Sequence, residues 1–291
     1  MNLKELIKEG IDTLSHLYPE REAREMVYAC LEKFIGTTRH THILEPYYKV
    51  GEEDLIVIRG AFTRMASGEP LQYTLNQAWF YGRRFNVTPD VLIPRPETEI
   101  LCRSVLDNIA GADNKGLRIL DLCTGSGCIA WTLAIESPGV ETVAVDISEG
   151  ALGVARNQDF ADEMSAADVL GPEFIKADVL GMPLTELGCF DVIVSNPPYV
   201  MESEKALMRS NVLDHEPHLA LFVPDDDPLV FYRAVARWAL QLLRSGGYGI
   251  VEINEALAFD TEEIFRDMKF TEVRTIRDLN DKDRFVEFRK K

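Results

Sequence analysis

One segment of the chain combines residue types and spacing that point to a definite chemistry: Asn196-Pro197-Pro198-Tyr199, at the end of the apolar run Phe190–Ser195. The run reads as a buried strand. Proline lacks an N–H and fixes φ, so two in succession take the chain rigidly out of the sheet. Asn196 and Tyr199 then stand at the carboxyl edge of the strand, the edge at which open α/β sheets hold ligands. Such a bend suits a planar –NH2 group. The asparagine oxygen and a carbonyl beside proline accept its two hydrogens, and the tyrosine ring packs on its face. Asn-Pro is also a common turn opener, so the tetrapeptide alone does not decide the matter.

A second constellation lies upstream. Leu120-Asp121-Leu122-Cys123-Thr124-Gly125-Ser126-Gly127-Cys128 reads as a strand entering a glycine loop and then a helix, with glycines that let backbone approach a ligand. Nineteen residues after Gly127, Asp146 ends the next strand, where a carboxylate can accept both hydroxyls of a ribose. Two cofactors fit. Gly125–Ala130 matches the Gly-x-Gly-x-x-Gly/Ala pattern of dinucleotide sites. S-adenosylmethionine shares the ribose but carries no phosphates. Asp121 beside the loop would repel a pyrophosphate and attract a methionyl ammonium. Asp178, after the third strand, could meet an adenine amine, or could simply cap a turn.

These residues need a scaffold, and the chain supplies two kinds. Leu3, Leu6, Ile7, Leu14 and Leu17, then Met26, Val27, Cys30, Leu31 and Phe34, then Leu55, Ile56, Ile58, Phe62 and Met65 recur at helical spacing, so the N-terminal part is a small helical domain. Nothing in it looks catalytic; it grips a partner or caps its neighbour. Trp79–Val87 reads as a hairpin turning at Gly82. Pro94-Arg95-Pro96-Glu97-Thr98-Glu99 reads as a helix start, with Pro96 in the first turn and acidic side chains at the positive end of the dipole. From about residue 117, strands and helices alternate: 117–122, 142–146, 174–177, 191–195 and 248–253 as strands, 128–135, 150–160 and 228–243 as helices. The tail, 273–277 and 284–288, reads as an antiparallel pair. This order implies a mostly parallel, doubly wound sheet. The boundaries expected are 1–69 for the helical domain, 70–94 for the hairpin linker and 95–291 for the α/β domain.

Bulk composition excludes several classes. The 291 residues are 46% hydrophobic, enough for a substantial core, without an apolar run of membrane-spanning length. Charged residues occur from the start and no signal-like segment is present, so the cytoplasm is expected. Five scattered cysteines form no Cys-x-x-Cys pair; they read as reduced, buried packers, Cys123 and Cys128 included. A net charge of −17 argues against stable nucleic-acid binding, which rests on Lys and Arg neutralising phosphates. No metal is expected: His40-Thr41-His42 and His215-Glu216-Pro217-His218 lack ligand spacing on one helix face.

Asp121–Gly127, Asp146, Asp178 and Asn196–Tyr199 together resemble a class I S-adenosylmethionine-dependent methyltransferase. Glu69–Tyr73, Phe80-Tyr81-Gly82, Phe85-x-Val87, Val91–Glu99 and Val194–Tyr199 narrow the resemblance to the HemK/PrmC family of release factor glutamine methyltransferases, across essentially the whole chain. The resemblance implies a Rossmann-like, mostly parallel seven-stranded sheet with an antiparallel C-terminal hairpin, plus an N-terminal substrate-recognition domain. It implies S-adenosyl-L-methionine as cofactor, touched by Cys123, Thr124, Gly125, Ser126, Gly127, Asp146, Asp178, Val179 and Asn196. It implies that Asn196, Pro197, Pro198 and Tyr199, with Arg95 and Thr98, receive a glutamine, and that Asn196, Pro197 and Tyr199 do the chemistry. The implied substrate is the Gly-Gly-Gln glutamine of peptide chain release factors, modified by a monomeric enzyme. A ribosomal-protein glutamine or a DNA or RNA adenine stays open as alternative substrate. The chain departs from the family at Asn254-Glu255-Ala256, where a glycine and a glutamine are usual, and at Pro224–Pro228.

Overall fold

The computed structural model describes residues 1–111, 115–167 and 169–291. It divides into two compact units, Met1–Gln77 with Arg209–His215, and Ala78–Met208 with Glu216–Lys291.

The first unit is built from α1 (Leu3–Leu14), α2 (Glu20–Ile35), the single-turn α3 (Thr41–Leu44), α4 (Glu52–Ala66) and the short α5 (Leu71–Thr74). A capping box starts α1: Asn2 Oδ1 accepts from the Glu5 N–H at 2.9 Å, and Glu5 accepts from the Asn2 N–H at 3.0 Å. The stripes expected from the sequence converge on one core containing Leu6, Leu14, Val27, Leu31, Ile58, Phe62 and Met65, except that Leu17 and Ile56 are exposed.

The boundary falls one residue into the hairpin β1 (Gln77–Phe80) and β2 (Arg83–Asn86), which turns at Tyr81-Gly82, and the second unit continues from Ala78. Then come α6 (Thr98–Ile109), β3 (Arg118–Leu122), α7 (Cys128–Glu136), β4 (Glu141–Asp146), α8 (Glu149–Arg156), α9 (Ala161–Ala167), β5 (Glu173–Lys176), β6 (Phe190–Ser195) and β7 (Val200–Met201). After β7 the chain contributes α10 (Ser210–Leu213) to the first unit. It continues with α11 (His218–Leu221), β8 (Phe222–Val223), α12 (Val230–Leu242), β9 (Leu243–Glu252), α13 (Ala258–Asp267), β10 (Thr271–Arg277) and β11 (Asp283–Arg289).

Seven strands form one sheet in the order β10-β11-β9-β6-β3-β4-β5. β9, β6, β3, β4 and β5 run parallel, and β11 is antiparallel to both β9 and β10. The mostly parallel sheet with an antiparallel C-terminal pair is therefore as expected. Alternate residues face opposite layers. Leu120, Leu122, Val145 and Ile193 pack with Val235 and Trp238 of α12, while Ile119, Val192 and Val194 pack with Leu101 and Val105 of α6 and Ile129 and Leu133 of α7. The chain leaves β3 toward β4 on one side and the order reverses to β6 on the other. The crevice at the carboxyl ends of β3 and β6 is thus the topological switch point.

Some local expectations are corrected. The helix read from Pro96 begins at Thr98, because the preceding turns are three-residue ones, with Thr98 N–H bonded to the Arg95 carbonyl and Glu99 N–H to that of Pro96, both at 3.1 Å. Glu99 lies in the first turn of α6, as expected, and its carboxylate also accepts from the Tyr81 N–H at 2.8 Å. The helix read as 150–160 stops at Arg156, where the Asn157 amide takes the Gly153 carbonyl at 2.7 Å and competes with the backbone ladder. The strand read from Tyr248 begins at Leu243, and its pairing with β6 shifts register on the way.

Candidate active site

At the carboxyl edge of the parallel strands lies a cavity of about 280 Å³, walled by residues of the second unit alone. Cys123, Thr124, Gly125 and Ser126 follow β3, Asp146 ends β4, Asp178 and Val179 follow β5, and Asn196 and Pro198 follow β6. Arg95 and Thr98 close another side, with Pro217, Leu219 and Ala220 beside them. Of the residues singled out in the sequence, Asp121, Gly127, Pro197 and Tyr199 stand outside these walls.

The glycine loop is held from below. Asp121 is fully buried, its Oδ2 accepting from the Thr124 hydroxyl at 2.6 Å, while Oδ1 has no partner. Burial pushes its carboxyl up to about 7, opposed by the Thr124 bond. Asp121 thus supports the loop from beneath and is not part of the cavity wall, contrary to its expected place beside the ligand. Gly127 is likewise a packing residue. It sits at φ 78° just before α7, where a Cβ would come within 3.1 Å of Ala155 and Trp131. Gly125, at φ 55°, has open space above it. Cys123 is also left-handed, at φ 63°, and burial holds its thiol well above the usual range, so it is a neutral wall residue. Gln158 braces the loop by donating to the Ser126 carbonyl at 3.1 Å and exchanging bonds with the Asn86 backbone of β2.

The loop's hydrogen bonding decides between the two cofactors. Thr124 N–H goes to the Val145 carbonyl at 3.0 Å and Gly127 N–H to that of Thr124 at 2.9 Å. Gly125 N–H goes to Asp146 Oδ2 at 2.9 Å. Three amides that a pyrophosphate would need are spent, one of them on a carboxylate. Asp146 Oδ1 accepts from Ser148 N–H at 2.9 Å, and each oxygen keeps a lone pair for a ribose hydroxyl. Asp178 is exposed; its Oδ1 caps a turn through Leu180 N–H at 2.8 Å, leaving Oδ2 at the cavity. Arg95, the cation in the wall, is paired with the buried Glu216 at 2.6 Å. An acceptor-rich, phosphate-poor wall fits a cationic nucleoside such as S-adenosylmethionine.

The Asn-Pro-Pro-Tyr bend is anchored on every side. Ser195 hydroxyl donates to the Leu122 carbonyl at 2.8 Å, which locks the end of β6 beside the start of the glycine loop. Asn196 Nδ2 donates to Thr98 Oγ1 at 3.3 Å, Thr98 donates to Glu252 Oε2 at 2.7 Å, and Tyr199 donates to Glu252 Oε1 at 3.1 Å. Tyr199 packs against the core and is held at both ends, since Asn254 Nδ2 binds its carbonyl at 3.2 Å. Its ring is therefore part of the support of the bend, and the stacking expected on a bound amide is not expressed in this arrangement. Burial, then Glu252, hold its hydroxyl well above the usual phenol range, so it remains a donor.

Three residues that sequence reasoning passed over belong to this assembly. Glu252 is 1% exposed, and its signal was a lone acid inside the apolar strand 248–253. Asn254, one of the departures from the family pattern, is buried and binds the Tyr199 carbonyl and Glu204. Glu216, set aside above as a poor metal ligand, also accepts from Ile93 N–H at 3.2 Å and so clamps the segment carrying Arg95.

A sheet of this order, with an acidic nucleoside crevice at its switch point, defines a class I S-adenosylmethionine-dependent methyltransferase. Comparison with known proteins takes the assignment further. A family profile described as a methyltransferase domain matches residues 113–280, and one described as the PrmC N-terminal domain matches residues 5–75. A release factor glutamine methyltransferase of Flavobacterium psychrophilum is 34% identical over 287 residues, covering 98% of each chain. One of Bacteroides thetaiotaomicron is 44% identical over 223 residues, covering 77% of each. Among solved structures, a T. thermophilus 16S rRNA methyltransferase in complex with AdoMet and guanosine is 20% identical, with a TM-score of 0.50 over 74% of this chain and 50% of that chain, which bears on the fold. The chain belongs to the release factor glutamine methyltransferase family.

Proposed function

We propose that this enzyme methylates the side-chain amide nitrogen of the glutamine in the Gly-Gly-Gln motif of peptide chain release factors, and so supports translation termination. Bound in the cavity, S-adenosylmethionine supplies an electrophilic methyl group on a sulfonium. The protein's task is placement, because an amide nitrogen is a poor nucleophile whose lone pair is delocalised. Asn196 Oδ1 and the Pro197 carbonyl accept the two amide hydrogens, which holds the –NH2 and stabilises the positive charge that develops on nitrogen. Thr98 and Tyr199 hold the bend, and Arg95, fixed by Glu216, borders the glutamine's path. No base acts before transfer; the proton leaves the nitrogen afterward.

The observation that carries this reading is the state of Asn196. Its Nδ2 is engaged by Thr98, and Oδ1 is the acceptor that remains, on the wall shared with Asp146 and the glycine loop. The helical unit offers no chemistry of its own but exposes Ile56 and Val57 on α4, and Ile43, Leu44 and Tyr47 near α3; we assign it to gripping the release factor. The net charge of −17 favours a protein substrate over a polyphosphate one.

The test is to incubate the enzyme and labelled S-adenosylmethionine with release factor, ribosomal protein, DNA and RNA in parallel. Label is expected in release factor. Asn196→Ala is expected to lower transfer by at least ~10²-fold, the scale of one lost transition-state hydrogen bond. Near-normal activity of that variant would falsify the assignment of Asn196, and label confined to nucleic acid would overturn the substrate.

A further inference from the structure

We infer that Glu252, acting through Thr98, is a positioning residue that fixes which end of the Asn196 carboxamide faces the substrate. The inference rests on the reading of Asn196 as an acceptor and concerns how the protein enforces it. A carboxamide can turn over by rotation about its last bond, exchanging oxygen for NH2 at almost no cost in shape. An Asn196 turned the wrong way would present two donors to a substrate –NH2 and repel it. Something must hold the orientation, and the bend's backbone does not reach the amide.

The hydrogen-bond directions supply it. Glu252 ends β9 beneath the bend, buried, with one hydroxyl on each oxygen: Thr98 at 2.7 Å and Tyr199 at 3.1 Å. An ionised carboxylate only accepts, so both hydroxyl protons point at it. Thr98 has a single proton to give. Once that proton is committed to Glu252, its oxygen can only accept, and the group facing it at 3.3 Å must be an N–H. Nδ2 of Asn196 is thereby drawn toward Thr98 and Oδ1 is left to the substrate. The polarity runs one way, from a buried charge through one hydroxyl to the amide.

Protonation reverses the relay. A Glu252 carboxylic acid can donate to Thr98, which frees the Thr98 proton to point at Asn196 and favours the unproductive turn. Burial pushes this carboxyl up to about 7, against the pull of Thr98, Tyr199 and Arg284. The groups that face it are Glu97 and Cys102 of the α6 region, Cys128 at the start of α7, Tyr199 of the bend, Tyr232 of α12 and Arg284 of β11. Arg284 gives its own hydrogen bonds to Asp278, both at 3.2 Å, and does not neutralise Glu252 by contact. The productive orientation is thus present above about pH 7 and is lost as pH falls through it.

The decisive variant is Glu252→Gln, equal in size and able to donate to Thr98. At saturating cofactor and release factor its kcat should fall by about tenfold or more, with the cofactor Kd from calorimetry within roughly threefold of wild type. Its kcat should also be level across about pH 6–8, where the wild type rises with pH through the titration of a single group. Should Glu252→Gln fail to fold, the relay is read from Thr98: Thr98→Val should lose the same rate, and Thr98→Ser, which restores the hydroxyl, should recover most of it. A Glu252→Gln enzyme within twofold of wild-type kcat, one that keeps the wild-type pH limb, or a loss confined to KM would overturn the inference. If Asn196→Ala is inactive while Glu252→Gln is not, only the relay falls; if Asn196→Ala is active, the reading of the bend falls with it.

Discussion

Gly125 and Gly127 lie two residues apart in one loop, and the structure assigns them opposite tasks that alanine substitution can separate. Both have left-handed backbone, φ 55° and 78°, so an added Cβ costs each about 1–2 kcal/mol. Beyond that they diverge. A Cβ on Gly127 meets Ala155 Cβ at 3.1 Å, Trp131 Cδ1 at 3.1 Å and Phe174 Cε1 at 3.2 Å. Trp131 cannot swing away, because its Nε1 is bonded to the Ala155 carbonyl at 2.8 Å and its ring is flanked by Phe160 and Phe174. Overpacking there adds about 1–3 kcal/mol, for a total of roughly 2–5 kcal/mol. A Cβ on Gly125 meets nothing within 4 Å and projects into the cavity, so its stability loss ends at the backbone cost. What Gly125→Ala loses instead is room for the cofactor: an intruding methyl worth about 1–3 kcal/mol weakens binding roughly 5- to 150-fold. Urea unfolding and calorimetry with S-adenosylmethionine read the two effects independently. Equal stability losses in the two variants would refute the reasoning. So would a Gly127→Ala protein as stable as wild type but unable to bind cofactor, because Gly127 would then be a ligand contact.

Asp121 carries a stability prediction with a defined sign. Its folded pKa of about 7 lies above the unfolded value near 4, so folding favours the protonated acid; the benefit is full at low pH and is lost as pH rises through about 7. Asp121→Asn abolishes that titration, so its stability relative to wild type should improve by about 2–4 kcal/mol between roughly pH 4 and pH 8, and parallel curves would sink the assignment. Glu216→Ala leaves Arg95 without its partner and Ile93 N–H without its acceptor. With Arg95 a third exposed, a loss of about 1–3 kcal/mol is expected in urea unfolding, together with weaker cofactor binding, since Val91, Leu92, Pro94 and Arg95 wall the cavity. Unchanged cofactor affinity in a destabilised variant would detach the clamp from the site.

Legibility from sequence followed how local each determinant is. The five parallel strands and the helices over them announce themselves through apolar runs and periodicity, and the carboxyl-edge positions of Cys123, Asp146, Asp178 and Asn196 follow once strand ends are placed. Short elements escaped for the same reason: α5, α10, α11 and the β7–β8 pair span two to four residues, too few for any period to repeat. Register was not legible, because pairing depends on residues far apart in the chain. The start of β9, where buried Leu243 is followed by exposed Arg244, Ser245 and Gly246, carries no mark of its pairing.

The site divides along a sharper line. Residues expected to face a ligand are legible where ligand chemistry dictates their type, and Cys123, Asp146, Asp178 and Asn196 do line the cavity. Residues that hold those residues were missed, since their identity depends on partners far along the chain: Glu252 on Thr98, separated by 154 positions, and Glu216 on Arg95, separated by 121. A buried acid inside an apolar strand is nevertheless a local anomaly, costly unless satisfied by donors. Here both donors, Thr98 and Tyr199, come from the segments that frame the substrate bend. Such an arrangement suits a group whose orientation matters, and the Asn196 carboxamide is the group at the bend whose two ends differ in chemistry but hardly in shape. The acid in β9 and the asparagine after β6 are therefore best understood as one device, with the threonine of α6 transmitting charge as direction.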